Sequence, residues 1–303
     1  NKQLLQFKDE GHPNFHGAYG SRIRNYNMYK DGSINSTKEI TIDQLDECYK
    51  KFQKDPETRQ AVISLFNPNF DNEQTKDLPC NTTSYFKLRE GKLYMSQHIR
   101  SNDINLGLFP TNLFQFSMVQ ETLAGWLGVE VGHLTFFSDS LHLYKDSEIT
   151  KKILEIYPTL FDVYEYCKPQ DARLNKETFD KMLNQIFEFE EKMRKGEYNK
   201  FYSEKPFWQD VYSMLEIWNL RKEGKQIEAL QKTFELNGLD FKVSALEFQF
   251  RTTKDPKIKE EIIKYLKDND YKIKNFVLYK ESKAKFIDMC HYIGIEENQS
   301  REK

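Results

Sequence analysis

The hydrophobic pattern of the chain changes near residue 148, and this change limits the possible folds more than any other feature. Before it, apolar runs of strand length at 61–66 and 129–137 occur among segments with helical spacing at 42–52 and 113–127. Strands of that length usually lie buried in a sheet, and the spaced segments predict amphipathic or buried helices. Strands and helices in irregular order indicate an α+β fold for this half.

Turn and cap residues add detail to the first half. Two alternating runs within 84–100 flank Arg89-Glu90-Gly91-Lys92, a pattern typical of a β-hairpin. The helix at 42–52 is predicted to begin at Thr41 as its N-cap and to end before Asp55-Pro56. Residues 1–40 are rich in Gly, Asn, Tyr and Lys, and we predict irregular structure there.

The second half is predicted to be mostly helical. Lys and Glu dominate it, and apolar residues recur at spacings of three and four, the signature of amphipathic helices. Two such stripes predict helix cores: Phe179, Met182, Leu183, Ile186 and Phe187, and then Trp208, Tyr212, Leu215 and Trp218. The change of pattern predicts a first domain over 1–170 and a helical region over 171–303, with the boundary within 171–175.

Charge and cysteine content exclude several classes of function. The 303 residues carry 45 basic and 47 acidic side chains, so no global charge attracts nucleic acid or an anionic membrane surface. The sequence contains no apolar stretch of about 18 residues and no secretory segment. Its four cysteines show no CxxC spacing. We therefore expect reduced thiols in a cytoplasmic protein, no structural metal site, and no nucleic-acid or membrane partner.

Three segments carry the residue types that chemistry needs. Cys80 lies between a polar loop and a strand, and a cysteine becomes a nucleophile when a cationic neighbour favours its thiolate. Arg100 to Asp103 brings a guanidinium, a hydroxyl and a carboxylate to a strand end, and arginine suits phosphate binding. His142 and Tyr144 should project from the same side of an extended segment.

Together these segments resemble the thymidylate synthase and deoxycytidylate hydroxymethylase family. The resemblance covers residues 11–144, and its value lies in the order of the motifs, since each alone is weak. The motifs are G-x-x-Y-G-x-x-x-R at Gly17, Tyr19, Gly20 and Arg24, D-P-x-S-R at Asp55, Pro56, Thr58 and Arg59, P-C at Pro79 and Cys80, R-S-x-D at Arg100, Ser101 and Asp103, L-G-x-P-x-N at Leu106, Gly107 and Asn112, and H-x-Y at His142 and Tyr144.

The resemblance implies a fold and a reaction. The fold is a thymidylate synthase-like mixed sheet with helices, present as a homodimer. The reaction moves a one-carbon unit from methylenetetrahydrofolate to C5 of a pyrimidine nucleoside monophosphate. Cys80 is the implied nucleophile, Asp103 contacts the pterin, and Tyr19 forms part of the wall of the site.

The resemblance also implies the residues that bind the nucleotide. Arg100 and Ser101 bind the 5′-phosphate, and Arg59 reaches the phosphate in the partner subunit's site. Asn112 reads the base edge, while His142 and Tyr144 hold the sugar hydroxyl. The family's N-terminal segment, which carries another phosphate arginine and a catalytic glutamate, would lie before Asn1.

Departures from the family pattern distinguish its branches. Asn81 stands where synthases carry His, and Ile99 where they carry Gln, which favours hydroxymethyl transfer. Asn112 favours uracil over cytosine, although 108–112 is one residue longer than the pattern. Gln60 replaces a second arginine, and Asp139 lies one position further from His142 than usual. The rival hypothesis is a non-catalytic pyrimidine-nucleotide sensor.

Overall fold

The computed structural model describes residues 17–29, 39–68, 71–72, 77–144 and 168–269, and contacts divide the chain into two units. The first unit comprises Asn1–Lys145 with Arg173–Lys176, and the second comprises Asp146–Ala172 with Glu177–Lys303. The boundary predicted from sequence within 171–175 stays a prediction. Each unit is described separately below.

The first unit combines helices and strands, as the mixed pattern predicted. Its elements in chain order are α1 (Tyr19–Arg24), β1 (Tyr26–Tyr29), β2 (Glu39–Ile42), α2 (Gln44–Lys54), β3 (Val62–Ser64), β4 (Asn81–Arg89), β5 (Lys92–Ile99), β6 (Asn102–Asp103), a π-helix (Ile104–Leu113), α3 (Phe114–Leu127), β7 (Glu130–Ser138) and β8 (Leu141–His142).

A four-stranded sheet in the order β3-β4-β5-β7 forms the centre of this unit. The β3–β4 and β4–β5 pairs are antiparallel, whereas β5 and β7 are parallel. Along β5, Leu93, Met95 and Ile99 are buried on the face that packs against α3. The mixed sheet and its helices, followed by a helical region, confirm the α+β fold class.

The opposite, outer face of the sheet carries a row of aromatic rings. Tyr85 on β4 contacts His98 on β5 with ring centroids 5.2 Å apart, and His98 stacks on Phe137 of β7 at 4.8 Å. Tyr85 is 41% exposed and Phe137 is 52% exposed. Side chains that large are usually covered when they form a contiguous row on a sheet.

The predicted hairpin is confirmed, with its turn at Glu90-Gly91. These residues have φ values of 51° and 71°, and two successive residues with positive φ define the type I′ turn that matches strand twist. The turn fixes the β4–β5 register, in which Asn81 lies opposite Ile99 and Ser84 opposite Gln97.

Two predictions for the N-terminal part were wrong. Residues 1–40 were predicted as irregular, but the described part of this stretch contains α1, β1 and the start of β2; residues 1–16 and 30–38 lie outside the described residues. The helix α1 is fixed by a buried ion pair of Arg22 with Asp71 at 2.7 Å. Long-range pairing of this kind leaves no local pattern. Thr41 belongs to β2, and the N-cap of α2 is Asp43, whose carboxylate accepts the Asp46 backbone N–H at 3.0 Å.

The second unit is helical in its described residues, as predicted. It contains most of α4 (Lys176–Met193), followed by α5 (Pro206–Lys222), α6 (Gln226–Glu235), α7 (Leu239–Thr252) and α8 (Pro256–Asp268). Phe179, Met182 and Ile186 form a buried stripe on α4. Phe187 and Trp218 were predicted as core residues but are 62% and 45% exposed. Each lies about 80° around its helix from the first residue of its stripe, because successive residues turn by about 100°.

A buried carboxylate joins α5 to the loop between α6 and α7. Asp210 is fully buried, and its two oxygens accept four hydrogen bonds, from Gln170, from the Asn237 backbone and side chain, and from the Gly238 backbone. A Cβ on Gly238 would lie 2.3 Å from the Gln170 amide nitrogen, so a larger residue there would displace the Gln170 side chain from Asp210. Among the described helices of both units, none is both long and apolar enough to cross a bilayer.

Candidate active site

Cys80 lies immediately before β4, and hydrogen bonds hold the backbone around it. The backbone N–H of Cys80 donates to the Tyr19 hydroxyl oxygen at 3.0 Å, and the N–H of Asn81 donates to the same oxygen at 3.1 Å. Tyr19 therefore ties α1 to the nucleophile candidate. The Cys80 side chain is only partly buried, so a small molecule can reach it.

Arg100 supports the same loop from the end of β5. Its Nε donates to the Pro79 carbonyl and its Nη2 to the Leu78 carbonyl, both at 2.9 Å. Its backbone N–H donates to the carbonyl oxygen of Cys80, also at 2.9 Å. A guanidinium has five N–H donors, so donors beyond these two remain for an anion. Arg100 is exposed, and its guanidinium contacts the two residues that precede Cys80.

Cys48 provides a contrast within the same unit. It is a free thiol like Cys80, but it is 0% exposed on α2. Burial away from water raises the pKa of the Cys48 thiol to about 12, which keeps it protonated and unreactive. Of these two thiols, only Cys80 has the access that a nucleophile needs.

Parallel pairing of β6 with β8 brings Asp103 next to His142. Asp103 begins the π-helix, and its Oδ2 accepts the Leu106 backbone N–H at 2.8 Å. Its other oxygen, Oδ1, is buried and has no hydrogen-bond partner among the described residues. Leu106 and Phe109 on the same π-helix are 63% and 62% exposed. A buried acceptor beside exposed apolar side chains suits a flat ligand with an N–H donor.

His142 and Tyr144 form a pair of rings, as their spacing predicted. Their centroids are 5.2 Å apart in an edge-to-face arrangement. The His142 Nδ1 lies 3.3 Å from the Ser140 carbonyl oxygen and 3.4 Å from its hydroxyl. A proton on Nδ1 donated to that carbonyl leaves Nε2 as an acceptor. Tyr144 is 62% exposed, so both rings can offer polar atoms to a ligand.

Asn112 is buried and lies between two other asparagines. Its Oδ1 accepts from Asn81 Nδ2 at 3.0 Å, and its Nδ2 donates to Asn102 Oδ1 at 3.0 Å. Asn81 directly follows Cys80, so the structure brings Asn112 close to the nucleophile candidate. The extra residue of 108–112 falls within the π-helix, whose wider turns hold one more residue than α-helical turns.

Comparison with known proteins now identifies the family. The model of the family described as thymidylate synthase matches residues 6–195, which is more than half of the chain. The chain belongs to the thymidylate synthase family. This confirms the resemblance read from the ordered motifs.

Individual relatives extend this finding. The chain is 46% identical over 162 residues to the deoxyuridylate hydroxymethyltransferase of Bacillus phage SP01, a match that covers 52% of this chain and 41% of that protein. It is 33% identical over 143 residues to a putative thymidylate synthase of Methanosarcina acetivorans, covering 47% and 58% of the two chains. It is 28% identical over 180 residues to the thymidylate synthase of Bacillus phage phi3T, covering 56% and 61%. The chain spans about half the length of the curated relatives that it matches.

The structure of this family member groups most of the predicted site residues. Tyr19, Cys80 and Arg100 are joined by hydrogen bonds, Ser101 follows in the chain, and Asn112 contacts the residue after Cys80. Arg59 lies elsewhere: it is exposed on the loop before β3, beside a polar cleft of about 710 Å³ that it shares with Arg89. Its predicted role in a partner's site stays a prediction.

Sequence reasoning missed a set of polar residues next to the site, three of them buried and one partly buried. They are Ser84, Gln97, Asn102 and Ser138, and they are linked to Asn81 and Asn112 by hydrogen bonds. One signal was present in the sequence. Gln97 falls between Met95 and Ile99 in the alternation of β5 and therefore occupies an inward position, where a polar side chain needs a partner.

Proposed function

We propose that this protein transfers a one-carbon unit from methylenetetrahydrofolate to C5 of a uridylate-type nucleotide, as a transferase of the thymidylate synthase type. The observation that carries the proposal is the setting of Cys80. It is an accessible thiol in a loop fixed by Tyr19 and Arg100, within a chain of the thymidylate synthase family. A nucleotide sensor is not favoured, because binding alone gives no reason for a nucleophile held in this way.

The chemistry requires a nucleophilic side chain because C5 of uracil is itself too weak a nucleophile to attack a one-carbon donor. Addition of the Cys80 thiolate to C6 breaks the C5–C6 double bond and moves its electron pair to C5. Loss of a proton from C5 and expulsion of the thiolate later restore the double bond.

The other residues of the site would bind and orient the nucleotide. Arg100 and Ser101 would take the 5′-phosphate, with Arg59 donated by a second subunit. His142 and Tyr144 would bind the sugar hydroxyl. Asn112 would pair with the base, since a carboxamide can donate to O4 and accept from N3–H of uracil. The relative of Bacillus phage SP01, named for deoxyuridylate, supports the choice of uracil.

Asp103 gives the best test of whether a folate fits. Its buried Oδ1 has no partner among the described residues, and an N–H group on a pterin ring would satisfy it, while the exposed Leu106 and Phe109 would cover the ring faces. These residues therefore fit the group. When bound, methylenetetrahydrofolate supplies the methylene carbon that becomes attached to C5.

Two substitutions support hydroxymethyl transfer rather than methyl transfer. Asn81 and Ile99 replace the His and Gln of the synthases, and the 46% identical relative is named as a hydroxymethyltransferase. A thymidylate synthase is the second candidate, supported by relatives of that name.

We also propose a homodimer and two domains, over 1–170 and 171–303. The aromatic row of Tyr85, His98 and Phe137 supports dimerisation through the outer face of the sheet, since two-fold dimers bury identical patches.

A covalent adduct tests the proposed function. With 5-fluorodeoxyuridylate and methylenetetrahydrofolate, intact-mass spectrometry should show one nucleotide and one folate attached per chain, because fluorine at C5 blocks the final elimination. Cys80→Ser should abolish the adduct, and Cys48→Ser should retain it. A wild-type chain that binds the nucleotide but keeps an unmodified mass would favour the sensor.

A further inference from the structure

A chain of side-chain hydrogen bonds runs through the core beside the site. We call it the amide relay, and in bonding order its members are Ser84, Gln97, Asn81, Asn112, Asn102 and Ser138. Its four amides are between 0% and 6% exposed. Each amide receives a hydrogen bond on its oxygen from the preceding member and donates through its nitrogen to the following one.

The distances make the relay continuous. Ser84 Oγ donates to Gln97 Oε1 at 2.6 Å, and Gln97 Nε2 donates to Asn81 Oδ1 at 3.1 Å. The two bonds of Asn112 follow, and Asn102 Nδ2 finally donates to Ser138 Oγ at 2.9 Å. A buried network in which every member is satisfied holds its side chains in one arrangement.

One backbone carbonyl sets the direction of the relay. Serine hydroxyls can donate or accept, so the donor and acceptor of every bond in the relay could be exchanged with no loss of hydrogen bonds. Gln97 Nε2, however, also donates to the His98 carbonyl oxygen at 3.2 Å, and a carbonyl cannot donate. This contact fixes the nitrogen of Gln97. Asn81 must then present its oxygen to Gln97 and its nitrogen to Asn112.

The direction decides what Asn112 offers to a ligand. Its oxygen faces Asn81 and its nitrogen faces Asn102, so one N–H and one carbonyl lone pair remain, each in a fixed place. Uracil presents an acceptor at O4 and a donor at N3, whereas cytosine presents a donor at N4 and an acceptor at N3. If the oxygen and nitrogen of the Asn112 amide exchanged places, the amide would therefore match cytosine instead of uracil.

We propose that Gln97 and Asn81 are positioning residues that select the pyrimidine base by fixing the orientation of the Asn112 amide. This inference rests on the proposed function, in which Asn112 pairs with the base. Gly107 supports the same arrangement, because a Cβ at that position would lie 3.0 Å from Asn102 Oδ1 and 3.7 Å from Asn112 Nδ2. The backbone at Gly107 thus packs closely against the relay.

Two isosteric substitutions on either side of Asn112 make a matched test. In Asn81→Asp, the new carboxylate can only accept, so it keeps its bond from Gln97 but forces Asn112 to turn its nitrogen toward residue 81. In Asn102→Asp, the carboxylate accepts from the Asn112 nitrogen as Asn102 does now, so the orientation is retained. Both variants add one negative charge next to Asn112, and the opposite outcomes separate orientation from charge.

The readout is the ratio of dissociation constants for deoxyuridylate and deoxycytidylate, measured by calorimetry at pH 8. We expect Asn81→Asp to move this ratio toward deoxycytidylate by about tenfold or more, because a mismatched buried polar group is costly. Asn102→Asp should leave the preference of the wild-type protein in place. Added charge weakens both nucleotides together, and their ratio cancels this effect.

Gln97→Leu provides a second variant in case either aspartate destabilises the fold. It removes the contact with the His98 carbonyl, so the relay loses its fixed direction and the ratio should fall toward one without reversing. Equal ratios in wild-type, Asn81→Asp and Gln97→Leu proteins would overturn the inference. Failure of the proposed function would look different: the wild-type protein would bind neither nucleotide, or it would bind deoxyuridylate without forming the covalent adduct.

Discussion

Two buried polar sites, one in each unit, differ in how completely the protein satisfies their hydrogen bonds. At Asp210 in the second unit, each of the two carboxylate oxygens accepts two hydrogen bonds from the protein itself, so the site is fully satisfied. In the first unit, Asp103 Oδ1 is buried without a partner among the described residues, and Asn112 keeps bonding capacity after its two neighbours are satisfied. Satisfied polar groups stabilise a fold, whereas the unused bonding capacity of Asp103 and Asn112 lies at the candidate active site, where a ligand can complete it.

The largest change in stability should come from removing the Asp210 carboxylate. Asp210→Ala removes four hydrogen bonds to a buried carboxylate and leaves the buried Gly238 N–H without an acceptor, and we expect the free energy of unfolding of the second unit to fall by about 3–5 kcal/mol. Urea unfolding followed by fluorescence of Trp208 and Trp218 measures it. The exposed Glu228→Ala on α6 is the control. Nucleotide affinity should not change; a parallel loss of affinity would show that Asp210 also serves the site.

Removing the proposed phosphate-binding group should lower nucleotide affinity rather than stability. Arg100→Ala should weaken nucleotide binding by roughly 1.5–3 kcal/mol, the value of a hydrogen bond to a charged group. Nucleoside binding should change far less, because the nucleoside has no phosphate. Arg89→Ala, an exposed arginine at the hairpin end, is the matched control. Equal losses for nucleotide and nucleoside would contradict the phosphate role.

Exposed aromatic residues, one in each unit, provide a test of the proposed homodimer. Phe137→Asp adds charge to the outer face of the sheet and should weaken self-association at least tenfold, about 1.4 kcal/mol, as measured by sedimentation equilibrium. Tyr202→Asp changes an aromatic residue of the second unit that is 83% exposed, and it should have no effect. A wild-type protein that is monomeric at micromolar concentration would refute the proposed dimer.

The last effect concerns the buried thiol and is negligible at neutral pH. The pKa of Cys48 is raised to about 12 in the folded protein by burial, while an unfolded thiol ionises near its ordinary value of 9.0. The unfolded state therefore loses its proton first, and stability should fall as the pH rises from about 9 toward 12. Cys48→Ala should remove this part of the slope in alkaline urea titrations. An unchanged slope would mean that other groups cause it.

Elements with a strong period could be predicted from the sequence, and elements held by distant contacts could not. The hairpin, α3 and β7 follow from alternation or from continuous apolar runs. By contrast, α1 depends on the ion pair of Arg22 with Asp71, which are 49 residues apart. Phe187 and Trp218 were assigned to cores because the spacing allowed it, although both lie at the margins of their stripes.

The same distinction applies to the site. Ordered motifs were enough to predict Cys80, Arg100 and Asp103, whose roles stay predictions. The amide relay was missed because it joins residues from β4, β5, β6, β7 and the π-helix, and only folding brings them together. Gln97 alone gave a local signal, as a polar residue in an inward position of a strand.

The π-helix has a consequence for how this region can evolve. One residue inserted into an α-helix turns everything after it by about 100°, which here would rotate Phe116 and Leu123 of α3 out of the core. A π-turn absorbs the added residue locally and leaves the rest of α3 in phase. The segment between Asp103 and Phe114 can therefore gain or lose one residue beside the candidate site while the core positions of α3 stay in place.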